Sequence, residues 1–173
     1  IVVFGKGLGG GLPISAVVGP EAIMNHASTF SFQTLHGNPV CASAGLAVLE
    51  TIERENLVEN AARVGDTMLS ALRALQDKHP LLGDVRGHGL AIGVELVSDR
   101  EARTPAIEQT ALTVYRAFQL GLVIYYVGLN SNVLEFTPPL TMSEDEALRG
   151  IAILDQALSD VEAGRVDPQL LER

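Results

Sequence analysis

The stretch Ile1-Val2-Val3-Phe4-Gly5-Lys6-Gly7-Leu8-Gly9-Gly10-Gly11-Leu12-Pro13-Ile14-Ser15-Ala16-Val17-Val18-Gly19 sets one lysine in a run of glycines between two apolar segments. Residues 1–4 are a short apolar run closed by glycine, which reads as a buried parallel strand already under way. Residues 14–19 read as a second strand. A phosphate-binding loop would carry its lysine late and a hydroxyl after it, whereas Lys6 comes early and Gly7 follows, so that reading fails. Gly5, Gly7 and Gly10 satisfy the dinucleotide fingerprint Gly-x-Gly-x-x-Gly after a strand. That fingerprint must open a helix, and Gly11, Pro13 and the apolar run behind them open a strand instead. Two readings remain beside it: a tight glycine turn with a surface lysine, and a lysine that forms a Schiff base. An amine that attacks an aldehyde must be neutral part of the time, which a sheltered site provides. A lysine at the C-terminal end of a buried strand, flanked by glycines that let backbone approach a planar ring, suits that chemistry.

Outward from this loop the chain alternates strands and helices, the pattern of an α/β or α+β protein. Residues 39–56 read as a helix that Asn38 caps and Pro39 opens. Residues 57–78 continue helically, with Ala61, Val64, Met68, Leu72 and Leu75 on one face as core, and His79-Pro80 ends them. Residues 84–89 and 90–97 read as strands, 98–105 as a polar loop and 106–120 as a helix closed by Gly121. Residues 122–127 and 133–137 read as a hairpin. Ser143 with Glu146 forms a capping box before a last helix that reaches about residue 163. A domain boundary is expected at 55/56, carried by the long helices rather than by a flexible linker.

Composition narrows the function classes. The 173 residues are 47% hydrophobic and 19% charged, enough to bury a core. A net charge of −9 argues against nucleic acid as a partner. Cys41 is the only cysteine, which excludes an intrachain disulfide and a thiolate zinc site, and no metal site is expected. No apolar run is long enough to span a bilayer. A cytoplasmic protein is expected, and the abrupt apolar opening reads as part of a longer chain.

Residues 2–13 are very similar to the cofactor-lysine motif of the class III aminotransferases, which depend on pyridoxal phosphate (PLP). A second block, Thr34-Leu35-His36-Gly37-Asn38-Pro39-Val40-Cys41-Ala42-Ser43-Ala44, resembles the same family. So do a third, from Gly83 through Val85-Arg86-Gly87-His88 to Glu95, and a fourth, Thr137-Pro138-Pro139-Leu140-Thr141. The resemblance covers almost the whole chain, and only its first two blocks are specific for cofactor chemistry. The run of residues 32–97 and the fourth block look closest to dialkylglycine decarboxylases and 4-aminobutyrate-type transaminases.

The resemblance implies a fold-type I PLP-transferase. Residues 1–55 would end its large mixed-sheet domain, and residues 56–173 would form an α+β small C-terminal domain. It implies that Lys6 is catalytic and holds PLP as a Schiff base. Thr34 would bind the cofactor phosphate of the neighbouring subunit, so a homodimer is expected. The reaction implied is transamination between an amine or amino-acid donor and a 2-oxo acid, with racemisation, epimerisation and decarboxylating transamination as alternatives on the same residues. The aspartate for the pyridine nitrogen and the aromatic ring over the cofactor come, in the family, from segments before the lysine. The chain alone is therefore expected to be inactive. Arg86 and His88 read as structural. One departure stands out. Many members carry an arginine for the substrate α-carboxylate in the strand before Pro-Pro-Leu-Thr, and here that position is Glu135. Alternation with Leu134 and Phe136 places Glu135 on a polar face. The expectation is a substrate-lining carboxylate facing a donor that lacks an α-carboxylate there or carries a second cationic group. The plainer alternative is a solvated or arginine-paired glutamate.

Overall fold

The computed structural model describes residues 1–26, 34 and 36–172. They form two compact units, Ile1–Leu57 and Val58–Arg173.

In the first unit, β1 (Val2–Phe4) pairs antiparallel with β2 (Ala16–Val18), Val2 opposite Val18 and Phe4 opposite Ala16. Where the sequence suggests a parallel strand, the partner of β1 in this chain is the next strand along, antiparallel to it. An apolar run without alternation cannot by itself tell a parallel strand from an antiparallel one. A short α1 (Glu21–Met24) follows, then α2 (Pro39–Arg54). Asn38 Oδ1 accepts from the backbone N–H of Val40 at 3.0 Å and of Cys41 at 3.3 Å, and Pro39 takes the first helical position, as the residue types dictate. The helix ends two residues before the expected limit because Asn56 adopts φ +50°, a left-handed conformation that asparagine tolerates and a helix cannot continue.

The second unit opens with α3 (Leu57–Lys78). A sheet follows in the order β3 (Leu82–His88), β4 (Ala91–Asp99), β7 (Val133–Phe136), β6 (Tyr125–Val127), all antiparallel neighbours. The polar loop after β4 contains a two-residue strand, β5 (Thr104–Pro105), that pairs back onto β4. Between them run α4 (Ile107–Gln119) and, at the end, α5 (Glu144–Glu162). Strand alternation sorts the sheet. Val85, Val94 and Leu134 lie in one cross-strand row and are buried with Val64, Met68 and Leu72 of α3 and Ile151, Leu154 and Leu158 of α5. The neighbouring row carries polar and small residues.

Two local rules close these helices. The Ser143–Glu146 capping box forms, with Ser143 Oγ accepting from the Glu146 N–H at 3.3 Å and the Glu146 carboxylate accepting from the Ser143 N–H at 2.9 Å. After α4, Gly121 at φ +95° lets the N–H of Leu122 reach the Ala117 carbonyl at 2.8 Å and that of Gly121 reach Phe118 at 3.0 Å. This paired return takes up residue 122, so β6 starts at Tyr125, three residues later than its apolar run suggests. Among the described residues no helix is long and apolar enough to cross a membrane.

Candidate functional site

Lys6 opens a single 3-10 turn, Lys6–Gly9, directly after β1. Its φ is +49°, a left-handed conformation rare for a residue with a Cβ. Such conformations cost about 1–3 kcal/mol and persist where the surroundings impose them, commonly at functional positions. The surroundings here are specific. The N–H of Leu8 donates to the Gly5 carbonyl and that of Gly10 to Gly7, both at 3.1 Å. Gly10 itself has φ +58°, and a Cβ on Gly9 would lie 2.7 Å from Ile14 Cγ2. On α2, a Cβ added to Gly45 would meet the Leu8 carbonyl and Ile14 at 3.6 Å, an ordinary contact, so the helix packs beside the turn. The turn is thus pinned from both sides. By contrast, a Cβ on Gly5 or Gly7 would meet nothing within 4 Å. The backbone on either side of Lys6 is bare and open, and Lys6 Nζ has no hydrogen-bond or ion-pair partner among the described residues.

Thr34 is exposed and sits in a turn; residues 27–33 and 35, which flank it, lie outside the described residues. The start of α2 does not offer the free N–H groups that a helix N-terminus usually presents. Pro39 has none, Val40 and Cys41 donate to Asn38 Oδ1, and Ala42 donates to the Asn38 carbonyl at 2.9 Å. A cavity of about 350 Å³ in this unit is lined by Ser15 of the loop and by His36, Asn38 and Cys41 at the helix start. Thr34 is not among its walls.

Glu135 belongs to the second unit, Lys6 and Thr34 to the first. On the sheet, Arg86, Gly93, Glu135 and Tyr125 form one cross-strand row across β3, β4, β7 and β6. Arg86 Nη1 donates to Asp84 at 2.6 Å and to Glu95 at 2.9 Å, and these bonds raise its pKa above the usual arginine value. Arg86 is therefore committed to its own neighbours, as the structural reading holds. His88 ends β3 opposite Ala91 and is exposed. Glu135 is exposed and takes no hydrogen bond or ion pair from the described residues, so the arginine-paired alternative does not hold among them.

Two charged clusters were not legible in the sequence. Asp160 on α5, 4% exposed, accepts from Arg165 Nη2 at 2.7 Å and from Arg116 Nε of α4 at 2.7 Å. Arg165 and then Arg116 hold its carboxyl down to about 2. His79, 1% exposed, lies between two carboxylates of α5: Nε2 is 2.6 Å from Asp155 and Nδ1 is 2.7 Å from Glu162. Burial pushes the Asp155 carboxyl up, but Lys78 and His79 outweigh it and leave it below the ordinary value. The seven-residue spacing of Asp155 and Glu162 on one helix face was the available signal. Both clusters tie helices together within the second unit.

Comparison with known proteins identifies the family. A family model described as Aminotransferase class-III matches residues 1–158. The chain is 43% identical over 173 residues to a leucine/methionine racemase of Thermococcus litoralis, covering 99% of this chain and 39% of the racemase. It is 44% identical over 160 residues to the mitochondrial alanine–glyoxylate aminotransferase 2 homolog 2 of Arabidopsis thaliana, covering 92% of this chain and 34% of that protein. Among solved structures it is similar to an amine transaminase from an uncultivated Pseudomonas species in a PLP-bound form. The TM-score there is 0.84 and the identity 32%, over 92% of this chain and 38% of the other. The chain thus spans well under half the length of the relatives it matches.

Proposed function

From the premise that this chain belongs to the class III aminotransferase family, we propose that it carries the cofactor lysine of a PLP-dependent enzyme and that Lys6 is that residue. The fold is the mixed α/β one of the family's solved transaminases. We read the first unit as the end of the large PLP-binding domain and the second as the small C-terminal domain. The observation that carries the reading is Lys6 itself, held left-handed in a pinned turn with open space at Gly5 and Gly7 and an amine without a partner among the described residues. These residues fit a planar aldehyde cofactor: bare backbone admits a ring, and the amine is free to hold it covalently. PLP, when bound, supplies an electron sink for charge left on the substrate carbon.

In this reading Lys6 has two tasks. Its amine holds the cofactor, and when released it takes a proton from the substrate carbon and returns it. Return away from that carbon gives transamination between an amine or amino-acid donor and a 2-oxo acid. Delivery of a proton to the opposite face of the same carbon, by an acid other than Lys6, gives racemisation. The second outcome is kept because the 43%-identical relative is a racemase. Thr34 contributes a hydroxyl to the cofactor phosphate in a homodimer partner. With the first N–H groups of α2 already occupied, that hydroxyl is what the segment adds. Glu135, without a partner among the described residues, faces the donor, and a cytoplasmic place of action accompanies these assignments.

The experiment supplies the full-length enzyme with one enantiomer of leucine, methionine or alanine, with and without a 2-oxo acid. Consumption of the 2-oxo acid in step with formation of a new one supports transamination. Appearance of the opposite enantiomer without a 2-oxo acid supports racemisation. Neither product, in an enzyme that retains PLP, contradicts both readings.

A further inference from the structure

The junction between α3 and β3 buries an imidazole that the proposed reaction does not use. His79 directly follows α3, and its N–H still donates to the Leu75 carbonyl at 2.8 Å. It is 1% exposed and meets a carboxylate at each ring nitrogen: Nε2 is 2.6 Å from Asp155 Oδ1, and Nδ1 is 2.7 Å from Glu162 Oε2. Charged groups reach this place from three elements. Lys78 of α3 donates to both oxygens of Asp155, at 2.5 and 2.8 Å. Asp155 and Glu162 come from α5, and the second oxygen of Glu162 accepts from the Leu81 N–H at 3.3 Å. Arg100, in the loop after β4, donates to the backbone carbonyls of His79 at 2.7 Å and Pro80 at 3.1 Å. From α4, the neutral Gln109 lines the cavity beside Leu81 and Glu162.

A neutral imidazole has one N–H and one lone pair, so it satisfies one carboxylate and turns its lone pair on the other. At these distances two acceptors would face each other. A ring protonated at both nitrogens donates twice, and each bond is charge-assisted. The charges also balance: Lys78 and an imidazolium match Asp155 and Glu162, whereas a neutral ring leaves one negative charge in excess. The extra proton belongs on the ring rather than on Glu162, because imidazole ordinarily holds a proton up to about pH 6.5 and a glutamate only to about 4.3. Asp155 does not hold it either. Burial works against its charged form, but Lys78 and His79 outweigh burial and keep the carboxyl below its ordinary value. We infer that His79 is a proton-held clasp, an imidazolium that fastens the α3–β3 junction to the last two turns of α5 and releases them when the proton leaves. The folded unit holds a proton that an unfolded histidine gives up above about pH 6.5. The stabilisation is therefore present below that value and is lost as the pH rises.

The test uses the full-length enzyme labelled with ¹⁵N in histidine, at about pH 7.5, where an ordinary histidine is about nine-tenths neutral. Nitrogen spectra of the parent should show a ring with both nitrogens protonated, and His79→Gln should lack it. Glu162→Gln offers an amide N–H to the Nδ1 lone pair, so there the same ring should turn neutral and split into one N–H and one lone-pair nitrogen. Because only this ring changes in Glu162→Gln, the assignment stands even where a His79→Gln enzyme does not fold. Hydrogen exchange reads the release itself. Between about pH 7 and 9, corrected for the intrinsic rate, protection of the last two turns of α5 should fall about tenfold in the parent and stay level in both variants. Two results overturn the inference: a split ring in the parent, or a loss of protection with pH that is equal in parent and variants. Neither readout involves Lys6, so both stand apart from whether that lysine takes the cofactor.

Discussion

A Cβ added to Gly65 would lie 2.2 Å from the carbonyl oxygen of Gly89, so α3 and the turn between β3 and β4 meet backbone to backbone. Gly65 is buried, and Gly89 turns the chain at φ +53°. This contact holds the Arg-Gly-His-Gly segment against the helix that supplies much of the core. Replacement of Gly65 by Ala forces two backbones apart, which costs more than moving a side chain. The expected loss is about 2–3 kcal/mol in a urea titration. An unchanged midpoint would show that the close approach does not exist in solution.

Asp160 sets the acid limit of the second unit. Its folded pKa, about 2, lies below the ordinary 3.8, so the folded state favours the charged form. A carboxyl depressed in this way contributes its full stability above about pH 4 and loses it as the pH falls toward 2. The contribution is on the order of 2 kcal/mol. Asp160→Asn should lower stability at pH 7 by a comparable or larger amount, because Arg165 and Arg116 lose their shared acceptor. The same substitution should flatten the fall between pH 4 and 2. A variant whose stability falls as steeply as the parent's over that interval contradicts the assignment.

Asn38→Ala removes the acceptor for two N–H groups of α2 and should cost about 1 kcal/mol, whereas Asn38→Gly should cost only a few tenths. Thermal unfolding of the two variants distinguishes a capping role from any other. Equal losses would point away from the side-chain acceptor.

Glu135→Arg places a cation where the sheet presents a carboxylate with no partner among the described residues. The donor profile of the full-length enzyme should move toward carboxylate-bearing amino acids, with about a tenfold change in their relative kcat/KM against simple amines. An unchanged profile would remove Glu135 from the substrate's surroundings.

What the sequence made legible followed local rules. The limits of α3, the Ser143–Glu146 box and the Asn38 cap depend on residues within a few positions of one another, and each formed as expected. The family followed from two dense motifs around Lys6 and Asn38. Pairings over distance were not legible. Nothing in an apolar triplet distinguishes a parallel strand from β1, antiparallel to β2. Arg116 and Asp160 lie 44 residues apart, and no periodicity joins them. The left-handed φ of Lys6 was also hidden, because the usual signal for that conformation is glycine or asparagine, not lysine. At the start of α2 the residue types suggest a helix end with free N–H groups, but the Asn38 side chain folds over and takes those of Val40 and Cys41.

The most direct test of the assignment of Lys6 is chemical. The full-length enzyme is incubated with PLP, reduced with borohydride, digested and mapped by mass spectrometry. The account predicts a single pyridoxyl adduct on Lys6, and none on that peptide in Lys6→Ala. An adduct confined to another lysine, or an enzyme that takes up no PLP, would contradict it.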